Sequence, residues 1–253
     1  MLMGMMIVVG FIVGFLVGCT GMGGIILIPA LVYLSGLSSH VAMGTTLFTF
    51  IFTTSLCSWL YIRLGHVDWK ATIPICIGGF LFTYVGADVK AFTAAPYLNL
   101  ILALLILLAG ALVFCPVRGR RFSFMEEGRR SRFWVLFAVG SGVGFVAGLT
   151  GAGGPVLSVP IMIALFPPLI AIGAGQVYSV PVALSGSAAN FLHGAIDYKV
   201  GALMIVIQIL GILLGVYMAN RMDTTKLRKM VAWVCLFCGG FILVNAIRGI
   251  LAM

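Results

Sequence analysis

Apolar residues run through this chain in long continuous stretches, without the alternation of a half-buried strand or the one-sided stripe of a surface helix. Eight stretches, at about residues 2–35, 41–62, 71–87, 97–115, 133–166, 170–192, 200–218 and 230–247, are separated by short polar segments. From Leu98 to Val113 only Asn99 is polar; as a helix these 16 residues rise about 24 Å, and with Tyr97, Phe114 and Cys115 they approach the span of a bilayer core. Continuous rather than alternating runs argue against a transmembrane β-barrel. The pattern predicts an all-α polytopic membrane protein. Two stretches, the first and the fifth, exceed 30 residues and are interrupted in the middle by glycine clusters.

Those interruptions expose an internal repeat. Gly14–Gly24 reads GFLVGCTGMGG and Gly144–Gly154 reads GFVAGLTGAGG, identical at seven of eleven positions and 130 residues apart. Gly65-His-Val-Asp-Trp-Lys70 answers Gly194-Ala-Ile-Asp-Tyr-Lys199 at a separation of 129, and Gly86/Gly215, Leu98/Leu227 and Gly110/Gly239 keep that spacing. The chain divides into a first transmembrane repeat (1–117), a basic cytoplasmic linker (118–132) with six Arg and two Glu, and a second repeat (133–253).

Two topologies compete. If each long stretch crosses the membrane once, the halves are parallel and the basic residues divide 10 against 5. If each folds into a hairpin at its glycines, the halves are inverted. Arg63, Lys70, the six linker arginines, Arg221, Lys226, Arg228 and Lys229 then share one side, 12 against 3, leaving Lys90, Lys199 and Arg248 on the other. The excess of cytoplasmic Lys and Arg in short loops favours the second arrangement, with both termini outside the cytoplasm. Each repeat is then a glycine-broken helical hairpin followed by three transmembrane helices.

Composition narrows the function classes. With 62% hydrophobic and 8% charged residues, against roughly 25% charged in a soluble domain, the chain suits a lipid-facing surface. The net charge of +9 falls in interhelical loops, where topology accounts for it, so no nucleic-acid partner is expected. Met1–Gly10 lacks the basic residues that open a signal peptide. Cys235 and Cys238 form a lone C-x-x-C without two further ligands, so neither a metal nor a cofactor is expected. No nucleotide-binding G-x-x-x-x-G-K-(S/T) motif is present. Nor is there an H-E-x-x-H, and Ser187 and His193 stand six residues apart, too far around a helix to face each other. The chain therefore does not read as an enzyme.

The breaks carry the candidate site. Three glycines in five residues free backbone donors and acceptors, which inside a membrane must be buried in protein or line a polar cavity. Two such breaks in corresponding places mark a transporter binding site. A half-helix starting near Met22–Ile25, and its counterpart near Ala152–Val156 with Pro155 in the first turn, would present N-terminal amides and the positive end of a dipole to an anion. The apolar segments contain no central Lys or Arg. Thr20, Gly21, Gly23 and Gly24, with Thr150, Gly151, Gly153 and Gly154, are the first candidates; capping of the next half-helix is the alternative for both threonines. Thr45, Thr46, Gln176, Tyr178, Ser179 and Asn190 are polar within apolar segments and either line the site or bond between helices. Asp68 and Asp197 occupy equivalent positions beside Trp69 and Tyr198, where they anchor at the interface or couple protons; His193 flanks the second of these turns, either as a solvated loop residue or as a coupling candidate. Cys19 precedes the first break, where the second half has Leu149, and either packs or offers a thiol to a sulfur substrate.

The G-x-x-x-G-x-x-G-x-G-G pattern at Gly14–Gly24, followed by Pro29 and Ala42-Met-Gly-Thr-Thr46 and repeated in GFVAGLTGAGGPVLSVP, resembles the sulfite exporter TauE/SafE family over nearly the whole chain. The resemblance implies a secondary transporter of sulfite, sulfonates or related anions, often an exporter, multi-pass in a bacterial inner membrane, with protons as a possible coupling ion. The halves differ where Gly173-Ala-Gly-Gln176 replaces Gly44-Thr-Thr-Leu47, so their ligands need not match. A passive anion channel, or a sulfur relay through Cys19, shares much of this pattern. Which anion, the direction of transport and the oligomeric state are open at this point.

Overall fold

The computed structural model describes residues 2–90 and 129–251, with single helical positions at 100, 103, 104, 107 and 111. The apolar segment 97–115 and most of the linker 118–132 lie outside the described residues. In chain order the helices are α1 (Leu2–Thr20), α2 (Gly24–Ser35), α3 (Ser39–Arg63), α4 (Trp69–Lys90), α5 (Arg129–Thr150), α6 (Pro155–Leu165), α7 (Pro168–Leu192), α8 (Tyr198–Arg221) and α9 (Thr224–Leu251). There is no strand among the described residues. Among the described residues, five helices are long and apolar enough to cross a bilayer: α3, α4, α7, α8 and the part of α5 from Arg132. Their outward faces carry Phe52, Phe80, Leu81, Leu210 and Leu214, large apolar groups suited to lipid rather than water. This is an integral, multi-pass helical protein.

Each glycine break turns the chain back on itself. Past Gly21, whose φ of +82° is a conformation glycine adopts without strain, α2 returns along α1. Gly23 then lies against Val13 and Val17, and Ser35 Oγ comes within 3.9 Å of Met6 Sδ near the start of α1. In the second half the Arg132 guanidinium sits 5.8 Å from the Phe166 ring, bringing the end of α6 back to the beginning of α5.

The two halves interleave. α1 packs on α8 of the other half and α5 packs on α4, each pair through facing glycines. A Cβ on Gly18 would lie 2.6 Å from the Ile212 carbonyl oxygen, and one on Gly144 would lie 2.7 Å from Gly79 Cα. Backbones at this separation are the small-residue packing of membrane helices. Both pairs run parallel, Gly14 to Gln208 and Gly18 to Ile212 in one, Gly140 to Ile75 and Gly148 to Thr83 in the other. α3 and α7, equivalent in the repeat, run antiparallel: Gly44 meets Ala195 at one end and Gly173 meets His66 at the other. Opposed directions of corresponding helices are what an inverted duplication requires.

Most buried threonine hydroxyls on α3 bond to their own helix. On α3, Thr46, Thr49, Thr53 and Thr54 each donate to the carbonyl four residues back, at 2.6–3.1 Å. The equivalent turns are alike: Asp68 Oδ1 accepts from Lys70 N, and Asp197 Oδ1 accepts from the Lys199 and Val200 amides, all at 3.0 Å. Both aspartates therefore fix helix starts. Asp68 also pairs with Arg132 at 3.1 Å, and His66 Nε2 lies 2.7 Å from Asn220 Oδ1, so the α3–α4 turn, the start of α5 and the end of α8 share one face. Arg63 and Arg221 lie over Trp59 and Tyr217 there, at 4.0 and 4.3 Å from the ring centroids. The α2–α3 and α7–α8 turns share the opposite face. One residue departs from the loop position that charge counting assigned it. α4 continues past residue 87 to Lys90, which is 2% exposed and packed inside the protein.

This arrangement predicts that single cysteines at Leu64 and Thr225 behave alike toward an impermeant thiol reagent applied to intact cells, both protected, while one at Gly194 is modified. Parallel halves would instead pair Leu64 with Gly194 and separate both from Thr225.

Candidate functional site

The two breaks touch. A Cβ on Gly24, the first residue of α2, would overlap the Ala152 carbonyl oxygen in the second break, and one on Gly21 would lie 2.9 Å from Pro155 Cβ, in the first turn of α6. Phe50 of α3 lies against both Gly24 and Gly153. Thr20–Gly24 and Thr150–Val156 are all buried. Neither half-helix has a side-chain cap at its N-terminus. Among the described residues, the first N–H of α2 seen with a carbonyl partner is that of Ile26, and in α6 that of Ser158. Amides before these have no carbonyl within their own helix. Pro155 stands in the first helical turn, where its missing N–H costs little.

Three α7 side chains border this junction. Gln176 Nε2 donates to the Val17 carbonyl at 2.6 Å and lies 3.4 Å from a Cβ position on Gly21. Its Oε1 is buried without a partner among the described residues. Ser179 Oγ lies 3.1 Å from a Cβ position on Gly154 while donating to the Gly175 carbonyl at 2.8 Å. The Tyr178 ring covers Gly154, and its hydroxyl donates to the Gly140 carbonyl at 2.9 Å, locking α7 to α5. The corresponding α3 positions are Leu47, Phe50 and Thr49, so the two halves close the junction with different chemistry. An apolar wall faces a wall with a carboxamide and a hydroxyl.

The sulfite exporter TauE/SafE family matches residues 6–242. The chain belongs to this family. Among curated proteins it is similar to the "Probable membrane transporter protein YunE" of Bacillus subtilis, 24% identical over 92% of this chain and 94% of that one. It is also similar to the "Probable membrane transporter protein MJ0441" of Methanocaldococcus jannaschii, 25% identical over 96% of each. A "Probable membrane transporter protein" of Xylella fastidiosa is 28% identical over 86% of this chain and 85% of its own length. No solved structure matches the chain. Membership assigns a membrane transporter of the TauE/SafE type, and the breaks at the centre of the fold are the duplicated glycine motif that carried the resemblance.

Other candidates lie elsewhere or are already engaged. Thr20 and Thr150 donate back to the Leu16 and Val146 carbonyls at 2.8 Å, closing α1 and α5 rather than capping α2 and α6. Thr20 Oγ1 additionally accepts from Met22 N at 3.3 Å. Thr45 Oγ1 accepts from Asp197 N at 2.9 Å, so it holds the α7–α8 turn, and Thr46 donates to Ala42. Cys19 Sγ donates to the Gly215 carbonyl at 3.0 Å, directing the thiol to α8 and not into the junction. His193 Nε2 lies 2.8 Å from Asp88 Oδ1 in an exposed pair. Asn190 is buried, its Nδ2 donating to Gly186 and its Oδ1 accepting from Lys90 Nζ.

Two buried polar residues escaped the sequence reading. Lys90 was counted as a loop charge, although its place at the end of an apolar run was a signal. Gln208 is buried on α8 beside Gly14, with both side-chain polar atoms unpaired among the described residues. Its signal was a lone amide in the apolar segment 200–218.

At the junction itself, glycine is required by chain-to-chain contact. Gly24→Ala meets Ala152, and Gly153→Ala meets Phe50 with φ at +83°. Each should lower stability by about 1–3 kcal/mol, read as an earlier thermal transition in detergent. Gly142→Ala, on a helix with open space around the site, is the control and should change little. A Gly24→Ala protein as stable as the parent would show that the breaks do not touch.

Proposed function

We propose that the protein is a secondary transporter of small sulfur-containing anions, such as sulfite and sulfonates, which it exports down or against an ion gradient and binds where the two breaks cross. The observation that carries this reading is the meeting of two helix N-termini without side-chain caps, one from each half, beside the unpartnered Gln176 Oε1.

Each N-terminus carries about half a positive elementary charge, so two converging ends offer about one. That matches a monoanion. The anion's oxygens would accept the first amides of α2 and α6, in surroundings where water does not compete. The second N–H of Gln176 faces the first break, and its Oε1 would accept from a hydroxyl of a monoprotonated anion such as bisulfite. A dianion would leave charge uncompensated, so a proton would accompany it. Inverted halves supply the two related states that alternating access needs, with one hairpin rocking against α8 and the other against α4. Passive flow would not need the coupling.

Purified protein in proteoliposomes should carry sulfite and methanesulfonate well above sulfate and chloride, and an imposed proton gradient should accelerate that flux. Gln176→Leu, which installs the residue found at the equivalent Leu47, should weaken apparent affinity about tenfold. Equal passage of chloride, sulfate and sulfite, indifferent to the gradient, would make the protein a channel.

A further inference from the structure

Between the membrane edge and the second break lies a cavity of about 280 Å³, lined by His40, Ala87, Lys90, Asn190, His193 and Ala195. It opens on the face that carries the α2–α3 and α7–α8 turns. Its size is at the small end of ligand pockets, suited to a compact ion rather than a cofactor.

Lys90 is the unusual member. Its ammonium is buried and donates to Asn190 Oδ1, whose own Nδ2 is anchored to the Gly186 carbonyl at 2.6 Å. Among the described residues no carboxylate lies within ion-pair distance of it. Asp88 is two residues away on the same helix, hence on a different face, and its carboxylate is engaged by His193 at 2.8 Å. A neutral amide satisfies a hydrogen bond of the ammonium but does not neutralise it. A buried cation left in this condition is unfavourable, and ionisable groups inside membrane segments mark functional sites. The position 129 residues on is Ala219, also buried, so the repeat has no need of a cation here. The pocket also adjoins the junction. One turn along α3 from His40, Gly44 lies against Asn190 and Ala195, and Met43 lies against Gly151 of the second break.

We infer that Lys90, with Asn190 and His193, forms a second anion site that takes a small monovalent oxyanion, a sulfonate or a carboxylate, on its way to or from the breaks. Lys90 Nζ supplies the charge and the principal hydrogen bonds. Asn190 aims it, and His193, held by Asp88, borders the mouth. The inference rests on the transporter reading for the direction of traffic, but anion binding in the pocket is testable without transport.

The test uses the full chain in detergent, with methanesulfonate as the probe, in a Gln176→Leu background that weakens the central site. Binding is read by titration and by ligand-induced thermal stabilisation. Lys90→Met and Lys90→Gln should each weaken methanesulfonate binding about tenfold or more, while Lys90→Arg stays within about threefold. Without ligand, Lys90→Met should melt no earlier than its parent, because a buried charge has been removed. If both neutral variants bind the probe as tightly as the Lys90 protein, the pocket is not an anion site, whatever the flux measurements give. If Lys90-dependent binding is present but no anion crosses a proteoliposome membrane, the pocket stands and the transporter reading falls.

Discussion

A peptide backbone interrupted inside a bilayer has no water to complete its hydrogen bonds, and the rest of this structure follows from how that is resolved. Each half of the chain breaks a helix at a T-G-x-G-G cluster, and each break is buried against the other. Side chains at Gly21 or Gly24 would hold the breaks apart. Their absence lets polar backbone from one half cover polar backbone from the other. The result is a buried junction built of backbone amides rather than charged side chains.

The interleaving of the halves serves the same constraint. α1 delivers the first break while packed on α8 of the second half, and α5 delivers the second while packed on α4 of the first. Glycine faces along both pairs bring backbones close enough for dispersion to hold helices together where the hydrophobic effect does not act between them. Because each hairpin leans on the opposite half, any movement of one half relative to the other moves a break. Both breaks are thereby held by the same four helices.

Much of this was legible in the residues. The duplicated glycine clusters located the breaks, and the start of α6 at Pro155 follows from that residue's tolerance in a first turn. The balance of basic residues favoured hairpins, and the contacts of α2 with α1 and the opposed run of α3 and α7 agree with it. Side-chain destinations were less legible, for a physical reason. A threonine after an apolar turn can bond forward to the next helix or back to its own, and only the crowding at the junction sends Thr20 and Thr150 back. Gly23 reads as a ligand approach, yet its open side faces Val13 and Val17 of its own hairpin. Lys90 reads as a loop charge because it stands at the edge of an apolar run, yet packing within the protein buries it.

Charge is accordingly used in two ways. At the centre it is spread over helix ends, and toward one face it is concentrated on a single buried lysine. On the transport reading proposed above, the first selects an anion that must later leave and the second captures it. The most direct measurement of the central claim is a structure determined with a bromine-labelled alkanesulfonate, located by its anomalous scattering. The account predicts a peak at the junction, within hydrogen-bond reach of the first amides of α2 and α6. A compound that the protein demonstrably transports, but whose peak lies away from both breaks, would contradict it.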